Sequence, residues 1–162
     1  ALQLRNQVEW ALHCCSVLAG LPAGRYLSTK VLAELHGVPK EYLSKALQGL
    51  SQAGLVESTL GPSGGYRLAK TPGQITFLDI VEAVEGKTSS FVCDNIRYNN
   101  PCLRKGYRAD GACAIAQVMW DADQAWRDKL RSVSLADLGK TLRKTVPADI
   151  LDKTQGWVLE RS

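Results

Sequence analysis

Three cysteines, Cys93, Cys102 and Cys113, fall in or directly beside one irregular stretch of this 162-residue chain. Far upstream, Glu9 and His13 stand four residues apart, a spacing that puts both on one face of a helix. Such a pair can close on one metal centre or simply hydrogen-bond along the helix. The loop cysteines are separated by eight and ten residues, wider than a local zinc knuckle, whose first pair is usually about two to four residues apart. Zinc stays open on that spacing. An iron–sulfur cluster accepts thiolates from a flexible loop, and His can replace Cys on one iron. Three scattered cysteines can equally be inert thiols. A metal reading needs a fourth ligand. The vicinal Cys14 and Cys15, with Trp10, read as core filler.

The elements that must position these groups begin with a helix from about Leu4 to Ala19. Val8, Ala11, Leu12, Cys15, Leu18 and Ala19 form its apolar stripe, and Gly20 before Leu21-Pro22 ends it. From Leu27 to Leu68 the pattern is a winged helix-turn-helix. Ser28 is a natural N-cap with Leu27 and Leu32 as its staple, and Gly37 supplies a left-handed stop. Pro39 suits the first turn of a second helix running to Gly54, with Leu43, Ala46, Leu47 and Leu50 turned inward. Strands over Leu55–Ser58 and Tyr66–Ala69 flank a Gly-Pro-Ser-Gly-Gly tip. The outward face of the second helix carries Lys40, Tyr42, Ser44, Lys45 and Gln48, side-chain types that bond phosphates and base edges. Ser28 belongs to the same surface, and Arg67 beside the wing is placed to reach a minor groove or phosphate. A merely solvated polar face is the alternative; the wing and turn favour duplex DNA.

Thr76 and Asp79 stand at capping-box spacing and open a helix whose buried side is Ile80, Val81 and Val84, closed by Glu85-Gly86-Lys87. Lys87 to Ala112 lacks periodicity, which in a chain of this size marks a functional or disordered loop. From Ala114, Ile115, Val118, Met119, Ala122, Trp126, Leu130 and Val133 recur at helical steps, a seam suited to packing on the same helix of a second subunit. Burial against its own domain is the alternative. Ser134 and Asp137 start a short helix with Leu135, Leu138 and Leu142. Trp157, Val158 and Leu159 near the end are expected to pack on the dimer. The expected class is therefore mainly α with a small β-wing. Its segments are a DNA-binding domain over residues 1–86, a cysteine loop over 87–113, and a dimerisation helix with C-terminal segment over 114–162.

Composition agrees. Hydrophobic content of 45% supports a core, and the net charge of +4 is too small for a strongly basic nucleic-acid coat. The positive excess sits partly in the first 70 residues, with seven Lys/Arg against four Asp/Glu. No long apolar run or signal-type start is present, which points to a cytoplasmic chain without membrane contact. Five cysteines in that compartment point to metal or redox chemistry rather than a disulfide framework.

The Leu-Ser-Gln-Ala-Gly-Leu-Val-Glu-Ser run, the Gly-Pro-Ser-Gly-Gly-Tyr-Arg-Leu wing and the three-cysteine loop before a long helix together resemble the IscR/NsrR/RsrR family. Those proteins are dimeric winged-helix repressors that sense iron–sulfur status, nitric oxide or redox state. The resemblance implies cluster thiols at Cys93, Cys102 and Cys113. Where some members carry a His three residues after the last Cys, this chain has Ala116, so the fourth ligand comes from elsewhere; other members take an acidic residue from the first helix of the partner, a position matched by Glu9. The run Val8-Glu9-Trp10-Ala11-Leu12-His13-Cys14 most resembles the redox-sensing RsrR branch. That likeness implies a 2Fe–2S cluster held by Glu9 and His13 of one subunit with Cys102 and Cys113 of the other. The alternative set is Cys93, Cys102 and Cys113 with Glu9. Trp10, between the two upstream donors, is then the candidate redox switch.

Three function classes follow: a cluster-bearing regulator, a metal-free or zinc-bound regulator with a thiol switch, and a small oxidoreductase. The glycine-rich tip lies between strands and opens no helix, so it is no phosphate-cradling loop, and an enzyme is not expected.

Overall fold

The computed structural model describes residues 4–162. Helix α1 (Asn6–Ala19) turns one face inward, burying Ala11, Cys14, Cys15 and Leu18. It packs against α3 (Lys40–Gln52) and α4 (Phe77–Glu85). Leu43, Ala46, Leu47 and Leu50 recur at three- and four-residue steps along α3 and are fully or almost fully buried against it. Truncating one of these leucines to Ala costs roughly 2–5 kcal/mol at such sites. Burial pushes the Cys14 and Cys15 thiols up to about 12. They fill space and stay protonated, as expected for core filler.

Helix α2 (Thr29–His36) starts where expected: Val31 N donates to Ser28 Oγ at 3.2 Å, a cap worth about 1 kcal/mol. It stops at Gly37, whose φ of 62° is left-handed. The wing strands β1 (Val56–Thr59) and β2 (Gly65–Leu68) are antiparallel, with Glu57 opposite Arg67. Each starts one residue away from the sequence expectation. Leu55 N still bonds the helical Leu50 O, which delays β1, and Gly65 already pairs with Thr59. Leu27 adds a bridge to Tyr66, so the start of α2 and the base of the wing are one unit.

The expected capping box forms at Thr76/Asp79, and the helix start read at Ser134 and Asp137 is a second one. Between them the chain makes an excursion. It leaves α4 through a long loop with one short turn at Ile96–Asn99, and runs along α5 (Ala114–Arg131). It returns where Phe77 N donates to Val133 O and Leu135 N to Ile75 O, both at 2.9 Å. Helices α6 (Leu135–Thr145) and α7 (Ala148–Arg161) then finish on the first unit. Leu135 and Val158 share the core with Leu43 and Ile80. Val158 therefore packs on its own chain, where the sequence suggested a dimer contact.

Helix α5 is built the other way round from the rest. Its buried side is Ala116, with Asp123 and Arg127 half-buried, whereas Ile115 (71% exposed), Val118 (67%), Met119 and Trp126 face outward. The in-chain face is polar and the free face apolar. Among the described residues no helix is long and apolar enough to cross a membrane.

Candidate nucleic-acid interface and cysteine site

On the recognition helix α3, Lys40, Tyr42, Lys45 and Gln48 are exposed and Ser44 is half-buried. Their shared face follows from the inward leucines: what remains of a 3.6-residue repeat is one polar stripe. Ser28 spends its hydroxyl on capping α2. Arg67 is committed inside the chain. Its Nε pairs with Glu57 across the wing, and its guanidinium lies 4.6 Å from the centroid of the Tyr26 ring. The Glu57 bond holds the Arg67 charge more firmly than usual. To reach DNA, Arg67 must exchange Glu57 for a phosphate.

The cysteine loop is pinned at both ends. At its start, Ser90 Oγ donates to Asp123 Oδ1 (2.9 Å) and Trp120 Nε1 to Phe91 O (3.3 Å). Arg127 donates to Asp123 (2.9 Å), to Thr88 O (2.7 Å) and to Glu82 of α4 (3.5 Å). Hydrogen bonds from Arg127 and Ser90 hold the Asp123 carboxyl below its usual range. At its end, Arg97 Nη2 donates to Gly111 O at 2.9 Å, drawing the turn after Cys93 onto the residues before Cys113.

Cys113 is the N-cap of α5. The first backbone N–H groups of the helix, those of Ala116 and Ile115, push its pKa down, with Arg97 and the Cys93 thiol adding to the effect. Asn95 N donates to the Cys93 sulfur at 3.4 Å. Of the other loop thiols it is Cys93 that acts on the Cys113 pKa, while Cys102 is exposed on a separate turn, its N–H bonded to Asn100 Oδ1. The sequence had paired Cys113 with Cys102 as first choice.

Glu9 and His13 are exposed along one edge of α1. They line a groove of about 400 Å³ with Leu12, Phe77, Leu138 and Leu142. Trp10 is half-buried against the core. Among the described residues of one chain, no three His, Cys, Asp or Glu side chains converge as metal ligands. The donors come instead as two separated pairs, one carboxylate–imidazole and one dithiol. That set fits a 2Fe–2S cluster when the pairs belong to two subunits.

Sequence reasoning missed Arg97, Arg127 and His36. Arg97 acts through a bond across fourteen residues, and Arg127, besides its i,i+4 pair with Asp123, reaches Thr88 and Glu82 far away in sequence, which no local pattern shows. His36 lies half-buried at the end of α2, its Nδ1 2.9 Å from Leu32 O.

Comparison with known proteins places these features. The chain is 28% identical over 137 residues to the HTH-type transcriptional regulator NsrR of Shouchella clausii, covering 85% of this chain and 88% of that one. CymR, the global cysteine regulator of B. subtilis, superposes with a TM-score of 0.67 at 26% identity over 87% of this chain and 98% of its own. T. potens IscR does so with a TM-score of 0.67 at 25% identity, over 91% and 93%. The model of the Rrf2 family, iron-dependent transcriptional regulators, matches residues 4–141. A winged helix-turn-helix with an exposed polar recognition face, matched over this length, identifies a DNA-binding protein, and the chain belongs to the Rrf2 family of transcriptional regulators.

Proposed function

We propose that the chain is a homodimeric repressor in the cytoplasm whose affinity for a double-stranded operator is set by a 2Fe–2S cluster shared between subunits. Glu9 and His13 of one subunit and Cys113 with Cys93 of the other would hold it; Cys102 stands as the alternative to Cys93. The observation that carries this reading is the exposed apolar seam of α5, which begins two residues after Cys113 with Ile115. A second copy on that seam brings foreign side chains to the dithiol. When bound, the cluster supplies one-electron redox chemistry, and nitrogen and oxygen donors in place of thiolates raise its reduction potential.

The chain's own residues supply the coupling. Cys113 is biased toward thiolate by the start of α5 and by Arg97. Arg127 and Asp123 fix the loop stem to α4 and α5. Glu9 and His13 sit on α1, which packs directly on the recognition helix. A force between loop and α1 therefore reaches the spacing of the two recognition helices. A differential interaction of about 1–3 kcal/mol changes DNA affinity roughly 5- to 150-fold. Trp10, between the two donors and half-buried, is the side chain placed to change rotamer with the local charge.

The test is anaerobic titration of DNA with oxidised and reduced protein, with iron and sulfide assayed afterwards. Different affinities at equal iron content support redox sensing; identical affinities at equal iron content remove it. A second reading, a metal-free thiol switch, is favoured by the Arg97 bond that draws the turn after Cys93 toward a Cys113 already biased toward thiolate, and by the similarity to CymR, a cysteine regulator. Protein purified anaerobically without iron, sulfide or visible absorption would select it.

A further inference from the structure

Among the described residues, one buried side-chain nitrogen has no hydrogen-bond partner: Nε of Arg97. A guanidinium N–H is a permanently charged donor, and a fold keeps such a buried group unmade only at a cost. An orphan of this kind calls for a functional explanation. The rest of the side chain is spent. Nη2 donates to Gly111 O at 2.9 Å, and the guanidinium carbon lies 5.0 Å from the centroid of the Tyr98 ring.

The chain is bent to hold Arg97 there. Asn95 is the only non-glycine residue with a left-handed backbone among the described residues, at φ 55°, and it starts the short turn Ile96–Asn99 that carries Arg97. Such outliers are uncommon and cluster at functional sites. Asn95 also donates its backbone N–H to the Cys93 sulfur at 3.4 Å. On the other arm of the loop, Gly111 stands two residues before Cys113, whose thiol the Arg97 charge biases toward thiolate. Arg97 therefore lies where the arms bearing Cys93 and Cys113 meet. A neutral thiol is a weak acceptor, whereas a metal-bound thiolate or sulfide carries charge and is a strong one.

We propose that Arg97 tunes the shared cluster without being a ligand: its Nε–H is reserved for an anionic sulfur of that centre, and its fixed charge favours the reduced form. The inference rests on the cluster reading and adds to it a residue outside the ligand set. Reduction adds negative charge to the site, and hydrogen bonds to sulfur and net charge set the potential of such centres. Arg97 supplies both, so it raises the potential.

The experiment is anaerobic reconstitution of the full chain with iron and sulfide, then spectroelectrochemical titration of wild type, Arg97→Lys, Arg97→Met and Arg108→Met. The last removes an exposed charge from the same loop. Melting curves confirm folding of each. A midpoint potential does not depend on how many sites are filled, so it separates tuning from a purely structural tie. Arg97→Met, which loses donor and charge, is expected to show the lowest potential. Arg97→Lys, which keeps the charge but not the Nε–H, falls between it and wild type, and Arg108→Met matches wild type. Resonance Raman Fe–S stretching bands should shift in both Arg97 variants: a shift of the terminal bands assigns the acceptor to a cysteine sulfur, and a shift of the bridging bands to a sulfide. Lower iron content in the Arg97 variants with an unchanged potential makes Arg97 a loop tie only; this overturns the proposal and leaves the cluster reading standing. Equal falls in Arg97→Met and Arg108→Met also overturn it, because any loop charge would then serve. If Arg97→Met takes up no iron, Arg97→Lys decides: a lower potential supports the proposal and an unchanged one overturns it. Wild type that takes up no iron overturns both the proposal and the cluster reading.

Discussion

The rings of His13 and His36 lie 5.7 Å apart, centroid to centroid, tilted by 55°. One ring belongs to the edge of α1 proposed to hold the cluster; the other ends α2, one residue before the left-handed Gly37. The His36 ring is held between Leu32 O at 2.9 Å and the Cys14 sulfur at 3.9 Å. A displacement of His13 therefore meets the turn of the helix-turn-helix directly.

Burial, with the neighbouring His13, holds the His36 pKa below its ordinary value, against the raising effect of the Leu32 bond. The folded state thus binds this proton less well than the unfolded chain. Stability from this group is complete above the unfolded value, about 6.5. It declines as pH falls from there toward the lowered folded value. His36→Gln should reduce the loss of melting temperature between about pH 7.5 and pH 5. An equal loss in variant and wild type would assign the acid sensitivity to other groups.

Glu57 restrains Arg67 across the wing. Glu57→Gln removes a negative charge from the DNA side and frees the guanidinium for a phosphate. DNA affinity should rise, with the salt slope steeper by up to about one counterion. Titrations showing no gain would mean that Arg67 stays on Tyr26 and takes no part in binding.

Ile115 and Val118 are among the most exposed apolar side chains of the protein. If a second copy covers them, Ile115→Glu or Val118→Glu places a charge in a dry interface. Sedimentation should then show monomers, and operator affinity should collapse because one half-site alone is engaged. Dimers that persist in both variants would locate the subunit contact elsewhere.

Arg127 bridges Glu82 and Asp123, and all three side chains are mostly covered, whereas the second cation on Glu82, Lys87, is exposed and 4.0 Å away. Arg127→Met keeps the packing but leaves Asp123 without a cation and Glu82 with the exposed Lys87 alone. The loss in denaturant unfolding should be roughly 1–3 kcal/mol. Cys93 should also become more accessible to thiol reagents as the loop stem loosens. An unchanged stability would show that solvent replaces Arg127 at no cost.

What the sequence disclosed and what it hid divide along the range of the interactions. The caps at Ser28, Thr76 and Ser134 and the inward leucines of α3 depend on residues three or four apart, so they are visible in one dimension. The same holds for the apolar seam of α5, although only the structure shows that its in-chain face is the polar one carrying Asp123 and Arg127. Arg67 looked free because its partner depends on the wing register, which five residues at the tip determine. The turn after Cys93 is tied to the residues before Cys113 through Arg97 and Gly111, a bond across fourteen residues of irregular chain. Val158 reached the core of the first unit from the far end of the sequence by tertiary packing alone.

A cluster held by ligands from two subunits is tested most directly by heterodimer complementation. Glu9→Ala/His13→Ala protein and Cys93→Ala/Cys113→Ala protein are each expected to lack visible cluster absorption after reconstitution. Mixed and exchanged into confirmed heterodimers, they should recover one site per dimer, about half the wild-type absorbance. Pairing the first variant with Cys102→Ala/Cys113→Ala protein, beside the single Cys93 and Cys102 variants, identifies the second thiolate. Heterodimers that stay colourless, or either parent that holds a full cluster alone, would contradict a centre shared between subunits.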